Sequence, residues 1–91
     1  MKRKMAKNIE NLVVIVNGMP YEVKANVEAP VLVVIEKALE ESGNKGQPPQ
    51  NWELRDTAGN LLDPPKKLED YHIADGAKLF LSLKAGVGGN V

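Results

Sequence analysis

The sequence predicts an α+β fold, with one helix packed on one face of a mixed, four- to five-stranded sheet. Three observations carry that expectation. Residues 11–27 hold two strand-forming runs around Asn17-Gly18, a strong two-residue turn signal. Residues 30–42 carry apolar side chains at helical spacing between a proline and a glycine. Residues 77–84 alternate, with Leu79, Leu81 and Leu83 on one face and Lys78, Phe80, Ser82 and Lys84 on the other.

Composition bounds what such a chain does. Its 91 residues make one domain with an adequate core and little room for a deep cleft. The formal net charge is zero, so no overall field draws it to nucleic acid or to an anionic membrane, and neither is expected as a partner. Without cysteine there is no disulfide framework, thiolate nucleophile or thiolate metal site, which suits a reducing cytoplasm. No apolar run approaches the ~20 residues that span a bilayer. The basic start, MKRKMAKNIE, lacks the hydrophobic segment of a signal peptide. Residues 1–10 read as a disordered, solvated arm rather than an RNA-binding one, because Lys2, Arg3, Lys4 and Lys7 give only weak, salt-sensitive attraction.

The elements follow in order. The first strand, Leu12-Val13-Val14-Ile15-Val16, is apolar throughout. It is expected inside the sheet, with a non-core face open to a partner. The return strand puts Tyr21, Val23, Ala25 and Val27 on one face and Glu22, Lys24 and Asn26 on the other. From Pro30 to Ser42, β-branched residues favour a strand, yet Val31, Leu32, Val34, Ile35, Ala38 and Leu39 share one arc of a helical wheel. Helix is the expectation, with Val33 on the polar side, Pro30 in the first turn and Gly43 as cap. Pro48 and Pro49 make the next stretch a rigid connector into a third strand, residues 52–56, in which Trp52 reads as partly buried. Residues 57–60 turn the chain into a short Leu61-Leu62 strand. One helical turn from Lys66 to Tyr71 leads through His72-Ile73 to the last strand and a glycine-rich end.

Over residues 11–89 this order resembles the β-grasp fold of ubiquitin, and the likeness extends to motifs. Gly46-Gln47-Pro48-Pro49 is similar to ubiquitin's glycine-x-proline-proline connector, and Ala58-Gly59 to its alanine-glycine turn. Leu68-Glu69-Asp70-Tyr71-His72-Ile73 resembles the leucine-serine-aspartate-tyrosine-asparagine-isoleucine turn. Leu79, Leu81 and Leu83 follow the last strand's alternation, and Gly88-Gly89 matches the diglycine. The resemblance implies a ubiquitin-like β-grasp domain over 11–84 and a flexible tail over 85–91. The whole looks like a diverged ubiquitin-like modifier, of the prokaryotic kind found with an activating enzyme, a conjugating enzyme and a JAB-type metallopeptidase.

The departures from ubiquitin matter to function. Ubiquitin's recognition patch centres on an isoleucine of the third strand, with a histidine and a valine from the last. Here Arg55 and Asp56 stand near that isoleucine, and Phe80 and Ser82 take the last strand's places. Val14 is placed with Arg55, Phe80 and Ser82 in the candidate patch. Lys84 stands where ubiquitin has an arginine; with Val87 it is a candidate contact for the activating enzyme. Asn90-Val91 follow the diglycine, and in the family such an extension marks a precursor cleaved after Gly89, before Asn90.

In the family the tail's carboxyl is adenylated by ATP, passed to an enzyme cysteine as a thioester and transferred to a lysine amine. This protein would supply the carboxyl and a handle. Its expected partners are an activating enzyme, a conjugating enzyme, a processing or deconjugating peptidase and target proteins, and it would act as a monomer without a cofactor. Glycine suits such a tail, because it adopts backbone angles closed to other residues inside a narrow channel. Two other readings stand beside this one: a sulfur carrier of the same fold ending in a thiocarboxylate, and a non-covalent ubiquitin-like interaction domain. His72 has no second histidine or cysteine to share a metal, and no pair of carboxylates stands out as catalytic. The lysines read as ordinary surface residues.

Overall fold

The computed structural model describes residues 8–86. The chain forms β1 (Asn8–Val16), β2 (Met19–Asn26), α1 (Val31–Ser42), β3 (Trp52–Arg55), β4 (Leu61–Leu62) and β5 (Lys78–Leu83). The five strands make one sheet in the order β2-β1-β5-β3-β4. β1 and β5 are parallel, and the other neighbours are antiparallel. With α1 packed on one face, this is the expected mixed sheet and single helix of a β-grasp.

β1 begins at Asn8, inside the stretch read from sequence as a solvated arm. Ile9 explains the difference, being 1% exposed and part of the core. A bulge separates Ile9 from Leu12, so a simple alternation breaks at Glu10 and Asn11. Their N–H groups turn instead to the Asp75 carboxylate, which accepts both on Oδ1, at 2.9 Å and 2.8 Å.

α1 forms against the strand propensity of Val31, Val33, Val34 and Ile35 because burial of its apolar stripe outweighs it. Val31, Val34, Ile35, Ala38 and Leu39 are buried, while Leu32 and Val33 are half-buried, Val33 less exposed than its side of the wheel implied. Pro30 is the N-cap and offers no side-chain acceptor. The chain after β4 supplies acceptors instead: Val31 N–H donates to the Lys66 carbonyl at 2.8 Å and Leu32 N–H to that of Pro64 at 3.0 Å. Gly43, at φ 74°, closes the helix in the left-handed conformation, and Asn44 N–H donates to the Leu39 carbonyl.

The connector after α1 ends in a 3₁₀ turn, Pro49–Asn51. A second, Leu68–Tyr71, occupies the expected helical turn and buries Leu68. Asp70 accepts from Lys67 N–H, and the Tyr71 hydroxyl accepts from Asp63 N–H at 2.9 Å, so this short-range framework fixes the path into β5.

Candidate functional site: the outer sheet face and the root of the tail

β5 lies at the centre of the sheet, so its alternation sets both faces. Leu79 and Leu81 are buried beneath α1, while Lys78, Phe80 and Ser82 emerge on the open side. Register builds a row across that open face. Pro20 of β2 is opposite Ile15 of β1, Ile15 is beside Phe80, Phe80 is opposite Arg55, and Arg55 is opposite Leu61 of β4. Phe80 is 39% and Leu61 53% exposed, which is high for large apolar side chains.

Of the patch residues expected from sequence, Arg55, Phe80 and Ser82 come to this face: Arg55 faces Phe80, and Ser82 faces Glu53. Val14 does not. It pairs in register with Leu79 and is fully buried, so no partner can reach it. β1 has two apolar faces, and Leu12, Val14 and Val16 occupy the core, which leaves Val13 and Ile15 outside. Ile15 therefore takes the place assigned to Val14. Asn11 and Asn17 share the parity of Val13 and Ile15, and two polar residues on one face were the available signal. Leu61 was also missed, since a two-residue strand shows no period.

Arg55 interrupts the apolar row. Its Nη2 donates to Glu53 Oε2 at 3.1 Å and its Nη1 to the Gly59 carbonyl at 3.0 Å. A partner covering this face must desolvate a cation that already has acceptors, which disfavours a wholly apolar contact. The neighbouring turn is fixed by Asp56, whose carboxylate accepts the N–H groups of Asn60 and Ala58. These bonds, that from Asn60 first, hold its pKa below the ordinary aspartate value.

The chain leaves β5 at Lys84, whose N–H donates to the Asn51 carbonyl at 2.8 Å and ties the tail's root to the globule. The Lys84 side chain is exposed and has no ion pair among the described residues. Gly86 follows at φ 85°, a conformation that favours glycine. Val87, Gly88, Gly89 and the proposed cleavage point before Asn90 lie outside the described residues. Among the described residues, no group of three or more histidine, aspartate or glutamate side chains is placed to hold a metal ion, and no helix is long and apolar enough to cross a membrane. The described site is a partly apolar sheet face beside Lys84, whose backbone is tied to the globule.

A protein-family model described as "Protein of Unknown function (DUF2604)" matches residues 4–89. The uncharacterized protein y4jI of Sinorhizobium fredii is 53% identical over 78 residues, which is 86% of this chain. The chain spans 60% of that relative's length. Among solved structures, a protein designed on the basis of ubiquitin superposes with a TM-score of 0.75 at 24% identity, covering 91% of this chain and 96% of the design. The ubiquitin of Caldiarchaeum subterraneum gives 0.71 at 26% identity, covering 91% of this chain and all 100% of its own. A ubiquitin-like domain of an Arabidopsis thaliana protein gives 0.71 at 17%, covering 93% and 86%. The fold is ubiquitin-like.

Proposed function

The chain belongs to the family described as Protein of Unknown function (DUF2604), and from its ubiquitin-like fold we propose that it is a ubiquitin-like protein modifier, trimmed after Gly89 and conjugated through that residue's carboxylate. The observation that carries this reading is where the described chain leaves the sheet. The central strand β5, held on both sides, is followed in sequence by Lys84-Ala85-Gly86-Val87-Gly88-Gly89, and its last backbone anchor among the described residues is the Lys84–Asn51 bond. From that anchor the tail reaches about 20 Å when extended, enough to enter a partner's active site while the globule stays outside. The family match runs through Gly89, so the diglycine falls within it.

The chemistry balances in five steps. Hydrolysis of the Gly89–Asn90 peptide bond leaves the Gly89 carboxylate. That carboxylate attacks the α-phosphorus of ATP, giving an acyl-adenylate and releasing pyrophosphate. A cysteine thiolate of the activating enzyme displaces AMP to form a thioester, and a cysteine thiolate of the conjugating enzyme then attacks that thioester, taking the acyl group and releasing the first thiolate. A target lysine amine then displaces the thiolate and forms the isopeptide bond. Every thiol belongs to a partner, in keeping with a chain that has no cysteine.

Reconstitution tests the proposal. A form ending at Gly89, incubated with ATP and the activating enzyme of its native cell, is expected to give a thiol-sensitive adduct. The full chain in native extract is expected to lose Asn90-Val91 and then appear in higher-mass conjugates. A Gly89-ended form that yields no thioester, together with an extract free of conjugates, overturns it. A single oxygen-to-sulfur exchange at the terminal glycine would instead identify a sulfur carrier.

A further inference from the structure

β5 ends at Leu83, and just past Lys84 the chain turns. Ala85 and Gly86 form that turn, with Gly86 at φ 85°, the angle a type II turn requires at its second central residue. A turn at this point takes the chain out of the line of the strand before it. Gly86 is a glycine for its backbone angle alone: a Cβ built there meets nothing within 4 Å, so no neighbour demands the missing side chain. Glycine adopts either sign of φ with equal ease, whereas the left-handed conformation is about 5- to 30-fold less favourable for alanine.

Little holds the turn shut. The bond at the tail's root, from Lys84 N–H to the Asn51 carbonyl, lies before it, and neither Ala85 nor Gly86 hydrogen-bonds to another described residue. Both are exposed. Moving Gly86 from positive to negative φ therefore breaks no hydrogen bond among the described residues, and it straightens the chain. The turn also follows directly on Lys84, whose exposed side chain marks the Lys84–Ala85 bond for a protease that cuts after lysine. Such a protease binds its substrate extended, as an added strand is bound, and a turn on the C-terminal side of the bond keeps that bond from it.

We propose that Ala85-Gly86 is a hinge in the tail: closed in the free protein, it opens to an extended backbone when a partner enzyme takes the chain end into its active site. Gly86 is then a positioning residue, acting on Gly89 through the direction of the chain, and glycine is the residue to which both states are open. Closed, the hinge withholds the tail's root from unselective cleavage. Open, it lets residues 84–89 follow the line of β5 into a narrow channel. The role in activation rests on the modifier reading, whereas the closed turn does not. Only the open fraction of the molecules binds, so the partner's apparent affinity is reduced by that fraction while the rate of the bound complex is untouched.

Two variants separate the states. Gly86→Ala adds a Cβ that disfavours the closed angle, and Gly86→Asn adds a larger side chain that tolerates it. Digestion of the full chain with trypsin, followed by intact mass, reads the closed turn without any partner. Cleavage after Lys84 is expected to run about fivefold or more faster in Gly86→Ala than in the parent, and within about twofold of the parent in Gly86→Asn. Forms ending at Gly89 are then given ATP and the activating enzyme of the native cell. There the KM of Gly86→Ala is expected to fall about fivefold or more below the parent's, with kcat unchanged. Equal trypsin rates for Gly86→Ala and the parent overturn the proposal, and so does cleavage as fast in Gly86→Asn as in Gly86→Ala. A KM that is equal or higher in Gly86→Ala overturns it too, while leaving the modifier reading in place. No thioester from any form overturns that reading, and the hinge's role in activation with it.

Discussion

Arg55 and Glu53 stand two residues apart on β3, and their side chains meet at 3.1 Å on the open face of the sheet. Phe80 faces Arg55 from the next strand, so the ion pair sits in the middle of an otherwise apolar row. A receptor that buries an isoleucine at this point, as ubiquitin's receptors do, would meet a cation instead.

Arg55→Ile should therefore join Phe80 and Leu61 into one apolar surface. The variant is expected to bind a ubiquitin-receptor domain about 5- to 150-fold more tightly than the parent chain, since one desolvated charge is worth about 1–3 kcal/mol. Global stability should change by less than about 1 kcal/mol, because the lost pair is partly exposed and solvent-screened. Calorimetric titration of both proteins reads the first effect and urea unfolding the second. Equal affinity for the two would show that Arg55 does not set selectivity at this face.

Asp75 closes the bulge of β1, and its acidity follows from that role. The hydrogen bond from Asn11 N–H, and after it that from Glu10 N–H, lowers its pKa below the ordinary aspartate value. Asp56 is lowered in the same direction by its own turn. A carboxylate with a depressed folded-state pKa contributes stability that is fully present above its unfolded value, about 3.9, and is lost as pH falls through the folded value. The chain should thus lose stability below about pH 4. Asp75→Ala should be less stable at neutral pH and show a shallower fall on the acid side. Thermal unfolding between neutral pH and pH 2 checks both, and parallel acid limbs for the two proteins would remove Asp75 from the explanation.

How much of this was legible beforehand depended on whether the deciding contact was local. α1 could be read because Pro30, Gly43 and the spacing of Val31, Val34, Ile35, Ala38 and Leu39 agree within one segment. β5 could be read because Leu79 and Leu81 alternate with lysine, phenylalanine and serine. The inward parity of β1 was harder to see. Both of its faces are apolar, and the choice between Val14 and Ile15 is settled by packing beneath α1 and beside β5. Its start was hidden for a related reason, because the acceptor that supports Asn11 is Asp75, 64 residues later. At the candidate site, Arg55 and Phe80 could be named from the motifs on either side. Elsewhere in the sheet, the burial of the Trp52 indole Nε1 without a hydrogen-bond partner could not, since whether a donor finds an acceptor is a property of the packed protein alone.

The sheet's exposed margin at β2 carries a last consequence. β2 is an edge strand eight residues long, the kind of edge that invites pairing with another chain. Pro20 offers no N–H there, and Lys37 of α1 donates from Nζ to the carbonyl of Lys24 at 2.6 Å, occupying a backbone acceptor of the strand. Glu22, Lys24, Lys37, Glu40 and Glu41 surround the shallow groove between strand and helix, so the protection is electrostatic as well as steric. Lys37→Ala should free the Lys24 carbonyl and weaken that protection with a stability change of only about 1 kcal/mol or less, one hydrogen bond at an exposed site. Self-association should then rise with concentration in sedimentation velocity, and pairing a proline with the change, as Lys37→Ala with Glu22→Pro, should suppress it by removing an edge donor. If Lys37→Ala associates no more than its parent at any concentration, the lysine bond is not what guards this edge.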